Sequence, residues 1–330
     1  MEFKTNVKIK EYPFKISHKD NIFSIGSCFS DEISKRLLYA RFNVSNNPFG
    51  VVFHPMAIEN SLHRIIKLMP YNTLEIFKND ELYFSWDHSS IFNTTSLEET
   101  LFKINEGINE ANIKLQKANI FIITLATSWA YRLKKTDKIV SNCHKVPNIE
   151  FKKILLTEQE IENALKSTVN LLNKLPQEIK IIFTVSPVRH TRDGLVENSV
   201  SKSRLLNAVY NLTQTVENVS YFPSYEILID ELRDYRFFKE DMIHPTQQAV
   251  EYIWQKFSES FFTPTTQEMV NKVLRIKKLE EHKPKNTQTI AFKKLVNNTI
   301  KEMQELEVFF GVNTFKEEIE RIKLTIENAN

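Results

Sequence analysis

The chain has 330 residues, 42% of them hydrophobic and 26% charged, an ordinary globular balance with enough length for one large domain or a core domain with an appendage. Its formal net charge is only +3, and the 44 basic and 41 acidic residues are interleaved. Nothing therefore marks a nucleic-acid or membrane surface, and a small-molecule or acyl-carrying substrate is the default. Cys28 and Cys143 are the two cysteines, too few for a disulfide framework and without paired metal-ligand spacing, so neither metal nor cofactor is expected.

From Met1 to Ser17 charged residues alternate with single apolar ones, without the apolar stretch or small-residue cleavage site of a signal peptide. No run reaches the roughly 18 to 20 apolar residues that span a bilayer, so a cytoplasmic protein is expected. Short apolar blocks then predict strands at Asn21 to Gly26, Phe42 to Ser45, Asn119 to Thr127, Lys180 to Val188 and Val219 to Tyr225. Three-and-four apolar spacing predicts helices at Asp31 to Ala40, Met56 to Leu68, Leu97 to Gln116, Glu158 to Leu175, Glu197 to Val216 and Gln247 to Phe261. Strands alternating with helices imply a parallel α/β sheet. Two insertions read as hairpins at the C-terminal edge of that sheet: Glu81 to Phe92, and Trp129 to Val140 around the polar turn Lys134 to Lys138.

Past Phe261 the pattern breaks at Thr263-Pro264-Thr265-Thr266, and the remainder is charged and helix-forming. This divides the chain into a domain over 1–262 and a helical appendage over 263–330. The appendage carries Leu295, Ile300, Met303, Leu306 and Phe309 at helical spacing, a stripe for packing within the chain, for a second subunit in a homo-oligomer, or for a partner.

The first strand, Ile22-Phe23-Ser24-Ile25, stops at Gly26 and enters a helix through Ser27-Cys28-Phe29-Ser30. Ligands of open α/β sheets bind outside the carboxyl ends of the strands, and amides at a helix N-terminus suit an oxyanion. Ser27 thus stands where a nucleophile belongs, although serine is also among the commonest helix caps. Far along the chain, Glu240-Asp241-Met242-Ile243-His244-Pro245 precedes the last core helix. An Asp and a His three apart share one turn, so the carboxylate of Asp241 can orient His244, which can take the hydroxyl proton of Ser27. The structural alternative makes Asp241 a cap of that helix and His244 a surface residue.

Taken in order, Gly26-Ser27-Cys28-Phe29-Ser30, Asn47-Pro48-Phe49-Gly50, Thr124-Leu125-Ala126-Thr127-Ser128-Trp129, Asn142-Cys143-His144-Lys145, Ser186-Pro187-Val188-Arg189-His190 and Asp241-Met242-Ile243-His244-Pro245 resemble the GSCFA-domain family, which is similar to the SGNH or GDSL-like hydrolases. The resemblance covers most of residues 20–260. It implies a flavodoxin-like core and a triad of Ser27, Asp241 and His244. In the SGNH group the oxyanion is held by the nucleophile's amide, a glycine amide after the second strand and an asparagine after the third. Ser27 and Gly50 match the first two. The loop after the third strand, Ala126 to Trp129, lacks the asparagine, leaving Ser128 or Asn142 as its replacement.

Asn47, Trp129, His144, Arg189 and His190 are candidates for binding an anionic or sugar-like substrate, against a purely structural role for each. The expected activity is hydrolysis or transfer of an acyl group from an oxygen ester, with a carbohydrate O-acyl ester as the substrate by analogy with SGNH enzymes. Competing chemistries are a thiol enzyme using Cys28 or the adjacent Cys143-His144, a zinc site from Cys28, Cys143, His144 and His244, and a non-catalytic binding module.

Overall fold

Residues 4–281, 289–312 and 314–327 are described in the computed structural model. The chain divides into two compact units, Met1–Thr263 and Pro264–Asn330.

In the first unit, β1 (Asn21–Gly26) runs into α1 (Cys28–Tyr39) and β2 (Asn43–Asn46). Then α2 (Pro55–Ile66), a hairpin of β3 (Phe77–Asn79) and β4 (Leu82–Phe84), and α3 (Leu97–Leu115) lead back to β5 (Ile120–Leu125). A second sheet follows, built from β6 (Trp129–Leu133), β7 (Ile139–Val140) and β8 (Phe151–Leu155). The unit closes with α4 (Glu158–Leu172), β9 (Lys180–Val185), α5 (Leu195–Thr215), β10 (Val219–Phe222), α6 (Ser224–Glu226), a π-helical stretch over Ile227–Leu232, and α7 (Gln247–Phe261).

Strands β1, β2, β5, β9 and β10 pair in parallel in the order β10-β9-β5-β1-β2. Counted along the chain this is 2-1-3-4-5, the flavodoxin-like doubly wound order, and the strand order reverses between β1 and β5. Phe23, Ile25, Phe121, Ile123 and Phe183 send their side chains into one core with Leu62, Ile104, Leu165 and Leu205 of α2 to α5. Alternation puts Ser24 on the other face, where its hydroxyl bonds that of Ser30 in α1 at 2.7 Å, while Phe257 of α7 packs edge-on against Phe222. With both faces covered, the central strands read as continuous apolar runs.

Prolines shorten two predicted strands. β9 stops at Val185 before Pro187 and β10 at Phe222 before Pro223, since a proline donates nothing to a ladder. The first predicted hairpin is displaced toward the N-terminus. Its turn is Asp80-Glu81, with Asp80 at φ +51°, between β3 and β4, whereas Ser90–Phe92 forms a single 3-10 turn. The second hairpin stands where predicted, but β8 adds an unpredicted third strand along the whole of β6, from Trp129↔Leu155 to Leu133↔Phe151.

The second unit comprises α8 (Pro264–Glu281), α9 (Ile290–Phe310) and α10 (Lys316–Glu327). Val273, Ile276, Val296, Met303, Leu306 and Phe315 form its own apolar cluster, with Ile300 packed against it. Leu295 and Phe309, predicted for the same stripe, are 47% and 46% exposed. Among the described residues no helix is long and apolar enough to cross a membrane.

Candidate active site

The end of β1 is fixed before any chemistry is considered. Gly26 has φ +143°, and a Cβ there would stand 2.2 Å from the carbonyl oxygen of Thr124 on β5. Only glycine fits so close an approach. Its N–H donates to Asn47 Oδ1 at 2.8 Å, and the Nδ2 groups of Asn46 and Asn47 both donate to Asp31 Oδ1, at 2.7 and 2.6 Å. These bonds tie the loop after β2 to the first turn of α1. Ser27, at the junction, caps α1: its Oγ accepts from Phe29 N at 3.3 Å, and the residue is 1% exposed.

The second half of the site hangs from the segment between Phe238 and Pro245, which bridge each other. Thr246, not Asp241, caps α7, so the capping alternative for Asp241 falls away. Asp241 instead organises its own turn. Oδ1 accepts from the backbone N–H groups of Ile243 and His244 at 2.8 and 2.9 Å, and Oδ2 meets His244 Nδ1 at 2.7 Å. The His244 amide, the His244 ring and the Ile243 amide together hold the Asp241 carboxyl well below the usual carboxylate range. Because an ionised carboxylate only accepts, Nδ1 must carry the proton, which leaves Nε2 as the basic nitrogen.

Arg189 holds this turn from below: its N–H donates to Ile243 O at 3.2 Å, its Nη2 to Met242 O at 2.7 Å, and its guanidinium lies 4.0 Å from the Phe238 ring centroid. Its hydrogen-bond partners are thus the two carbonyls of the turn that carries His244.

His244 and Cys28, the residue after Ser27, line one cavity of about 50 Å³ together with Phe29, Glu32, Val188 and Pro245. Among the described residues no hydrogen bond joins Ser27 Oγ to His244. Ser27 itself does not line the cavity, which reaches it only through its neighbour Cys28.

The model of the GSCFA family matches residues 21–257. The chain belongs to the GSCFA family. No curated protein and no solved structure matches it.

Several residues expected to serve the site in this GSCFA chain are engaged elsewhere. The Ser27 amide donates to Thr124 O at 3.1 Å and the Gly50 amide to Asn47 O at 2.7 Å, so both expected oxyanion amides are committed to the backbone. Ser128 is fully buried, its hydroxyl donating to Ser201 O and its amide to Ser201 Oγ, both at 2.7 Å, which rules it out as a free donor. Asn142 accepts from the His144 amide at 2.9 Å in a tight turn and does not line the cavity.

His144 is structural. Asn93 Nδ2 donates to its Nδ1 at 3.1 Å, its Nε2–H donates to Ser85 O at 2.9 Å, it stacks on Phe84, and burial draws its pKa down to about 4. Cys143 packs in that same cluster, its thiol pushed up to about 11 by burial, so the four residues considered for zinc are split between two places. Among the described residues no three His, Cys, Asp or Glu side chains are grouped to hold a metal. Asn47 is the brace described above rather than a substrate contact. Trp129 Nε1 donates to Glu197 O at 3.4 Å, and the ring lies outside the cavity. His190 does stay near the site: its ring meets Phe53 edge-on, and burial, then the charge of Lys202, draw it down to about 4.

Three buried residues of α5 were not anticipated. Ser201 fixes the loop after β5, Asn198 Oδ1 accepts from the His190 amide at 2.8 Å, and Lys202 Nζ donates to Ser186 O at 2.7 Å. The core stripe of α5 runs Leu205, Ala208, Val209, Leu212, and the same spacing extended backward falls on Asn198, Ser201 and Lys202. A helical stripe that turns polar as it reaches the sheet edge was the signal.

Proposed function

We propose that the protein is a serine ester hydrolase or acyltransferase of the SGNH type, acting through a covalent acyl-Ser27 intermediate, with carbohydrate O-acyl esters as its substrate class. The observation that carries this is the Asp241–His244 pair, whose 2.7 Å bond leaves Nε2 basic beside a cavity that also takes in the residue after Ser27. In the acylation step Ser27 Oγ bonds the ester carbonyl carbon, its proton passes to His244 Nε2, and the same proton goes on to the departing alkoxide. Water or a second hydroxyl then takes the acyl group by the reverse of these events. A thiol mechanism is disfavoured, because burial, and then Asp31, push the Cys28 thiol up, away from the thiolate that such chemistry needs.

The test requires no knowledge of the natural substrate. A fluorophosphonate probe should leave an adduct that peptide mass spectrometry places on Ser27. The adduct should be absent in His244→Ala and retained in Cys28→Ala. An adduct on a cysteine, or none with either small or large probes, overturns the proposal.

A further inference from the structure

Lys202 lies in the middle of α5 and is 1% exposed, yet among the described residues it has no carboxylate partner. Of its three N–H donors one goes to the carbonyl of Ser186, and the ammonium lies 5.7 Å from the Tyr225 ring centroid. A desolvated, unpaired ammonium is costly to a fold, which makes its location informative. Ser186 follows β9 and its amide closes the ladder onto Leu125 of β5, while Gly26, just before Ser27, pairs with Thr124. The ends of β1, β5 and β9 are thus neighbours, each about 4.8 Å from the next. Lys202 reaches the β9 end, and its charge acts on Cys28, beside Ser27, and on His190. It therefore stands behind the end of β5, the strand after which an SGNH-type site places its asparagine.

We propose that Lys202 supplies the positive charge that stabilises the oxyanion formed when Ser27 attacks an acyl carbonyl, taking over the task of the absent asparagine. The inference rests on Ser27 being the nucleophile. As the Ser27 Oγ–C bond forms, the carbonyl π pair moves onto oxygen and the hydroxyl proton passes to His244 Nε2; Lys202 makes and breaks no bond. It acts through its field at the start of α1, without touching the reacting atoms. The amides of Ser27 and Gly50 being committed to Thr124 and Asn47, this charge has few competitors for the role.

The titratable groups facing Lys202 are Cys28 from α1, His190 from the loop after β9 and Tyr225 from α6. Burial favours the neutral form of each, raising Cys28 and Tyr225 and lowering His190. Burial also draws Lys202 itself down to about 7. Activity then needs Lys202 protonated, giving a profile that falls as pH rises beyond the Lys202 titration.

The experiment compares wild type with Lys202→Met and Lys202→Arg in the full chain, reading fluorophosphonate labelling of Ser27, turnover of a small activated ester from pH 6 to 10, and thermal melting. Lys202→Met should lose about 10²-fold in kcat with little change in KM and lose the alkaline decline, yet melt no lower than wild type, since it removes an unpaired buried charge. Lys202→Arg should retain more activity than Lys202→Met and should also lack the alkaline decline. A wild type without a Ser27 adduct defeats the serine mechanism and this inference together. A wild type labelled at Ser27, with Lys202→Met labelled equally fast, keeping the same pH profile or failing to fold, overturns the role of Lys202 alone.

Discussion

Asp241→Asn is the substitution whose outcome the geometry specifies most closely. Asp241 Oδ1 takes two backbone N–H groups at 2.8 and 2.9 Å, so the asparagine carbonyl must keep that side to preserve the turn. Its NH₂ then faces His244 Nδ1, which has to become the acceptor. The tautomer reverses, Nε2 carries the proton, and the ring can no longer remove one from Ser27. Flipping the amide restores the tautomer only by setting an NH₂ against two backbone donors. The imidazolium formed during acylation also loses its negative partner. Together these effects should lower kcat for an activated ester by about 10³ to 10⁴-fold, with KM nearly unchanged. The fold should not notice: both side chains are over 40% exposed, and the asparagine keeps both backbone bonds, so the melting temperature should stay within about 3 °C. Ester turnover and the rate of Ser27 labelling, read with the melt, decide the matter. A folded Asp241→Asn protein that retains a tenth of wild-type turnover refutes the argument.

Other expectations follow from single contacts. His54 accepts from Ala57 N at 3.2 Å through Nδ1 and donates to Val140 O through Nε2, and burial draws it down to about 4 from an ordinary value of ~6.5. As pH falls the unfolded chain takes the proton first, so this stabilisation is complete above about pH 6.5 and disappears toward pH 4, roughly 3 kcal/mol in all. Melts across that window should show a shallower pH slope in His54→Asn, which keeps a capping side chain; an unchanged slope refutes the assignment. Gly26→Ala forces a Cβ to 2.2 Å from Thr124 O at φ +143° and should cost ~3 kcal/mol or more in denaturant unfolding; a loss under about 1 kcal/mol contradicts that geometry. Arg189→Met keeps an apolar contact with Phe238 but releases Met242 O, so ester turnover should drop about tenfold without a matching fall in melting temperature, while wild-type turnover would show that the turn holds without it.

The α/β alternation was legible because the central strands β1, β5 and β9 are buried on both faces and read as nearly unbroken apolar runs, and because the helices carry one apolar stripe each. β8 escaped notice because Phe151-Lys152-Lys153-Ile154-Leu155 is short and half polar, and becomes a strand only by pairing along β6. In the site, Asp241 and His244 were readable because their interaction is local, within one turn. Gly50, Ser128, Asn142 and His144 were assigned by proximity to family motifs, and sequence does not reveal that the Gly50 amide, the Ser128 hydroxyl and His144 Nε2 already bond carbonyls elsewhere. Lys202 was hidden by the opposite error: a lysine in an amphipathic helix is ordinarily solvated, and only the phase of the stripe from Leu212 back to Leu205 shows that it faces inward.

The two halves of the site are anchored very differently. Ser27 sits on a sheet edge braced by Asn46, Asn47 and Thr124, whereas His244 rides an exposed turn held by a few backbone bonds and Arg189. Local opening of that turn costs far less than melting the sheet. On heating, the base should therefore leave its post before the fold gives way, and catalytic capacity should fade reversibly at temperatures where the circular-dichroism signal of the sheet is still intact. Under the proposed Ser27 mechanism the thermal ceiling is set by the loosest turn, so that tightening the stretch from Phe238 to Pro245 would raise the working temperature without adding anything to the core.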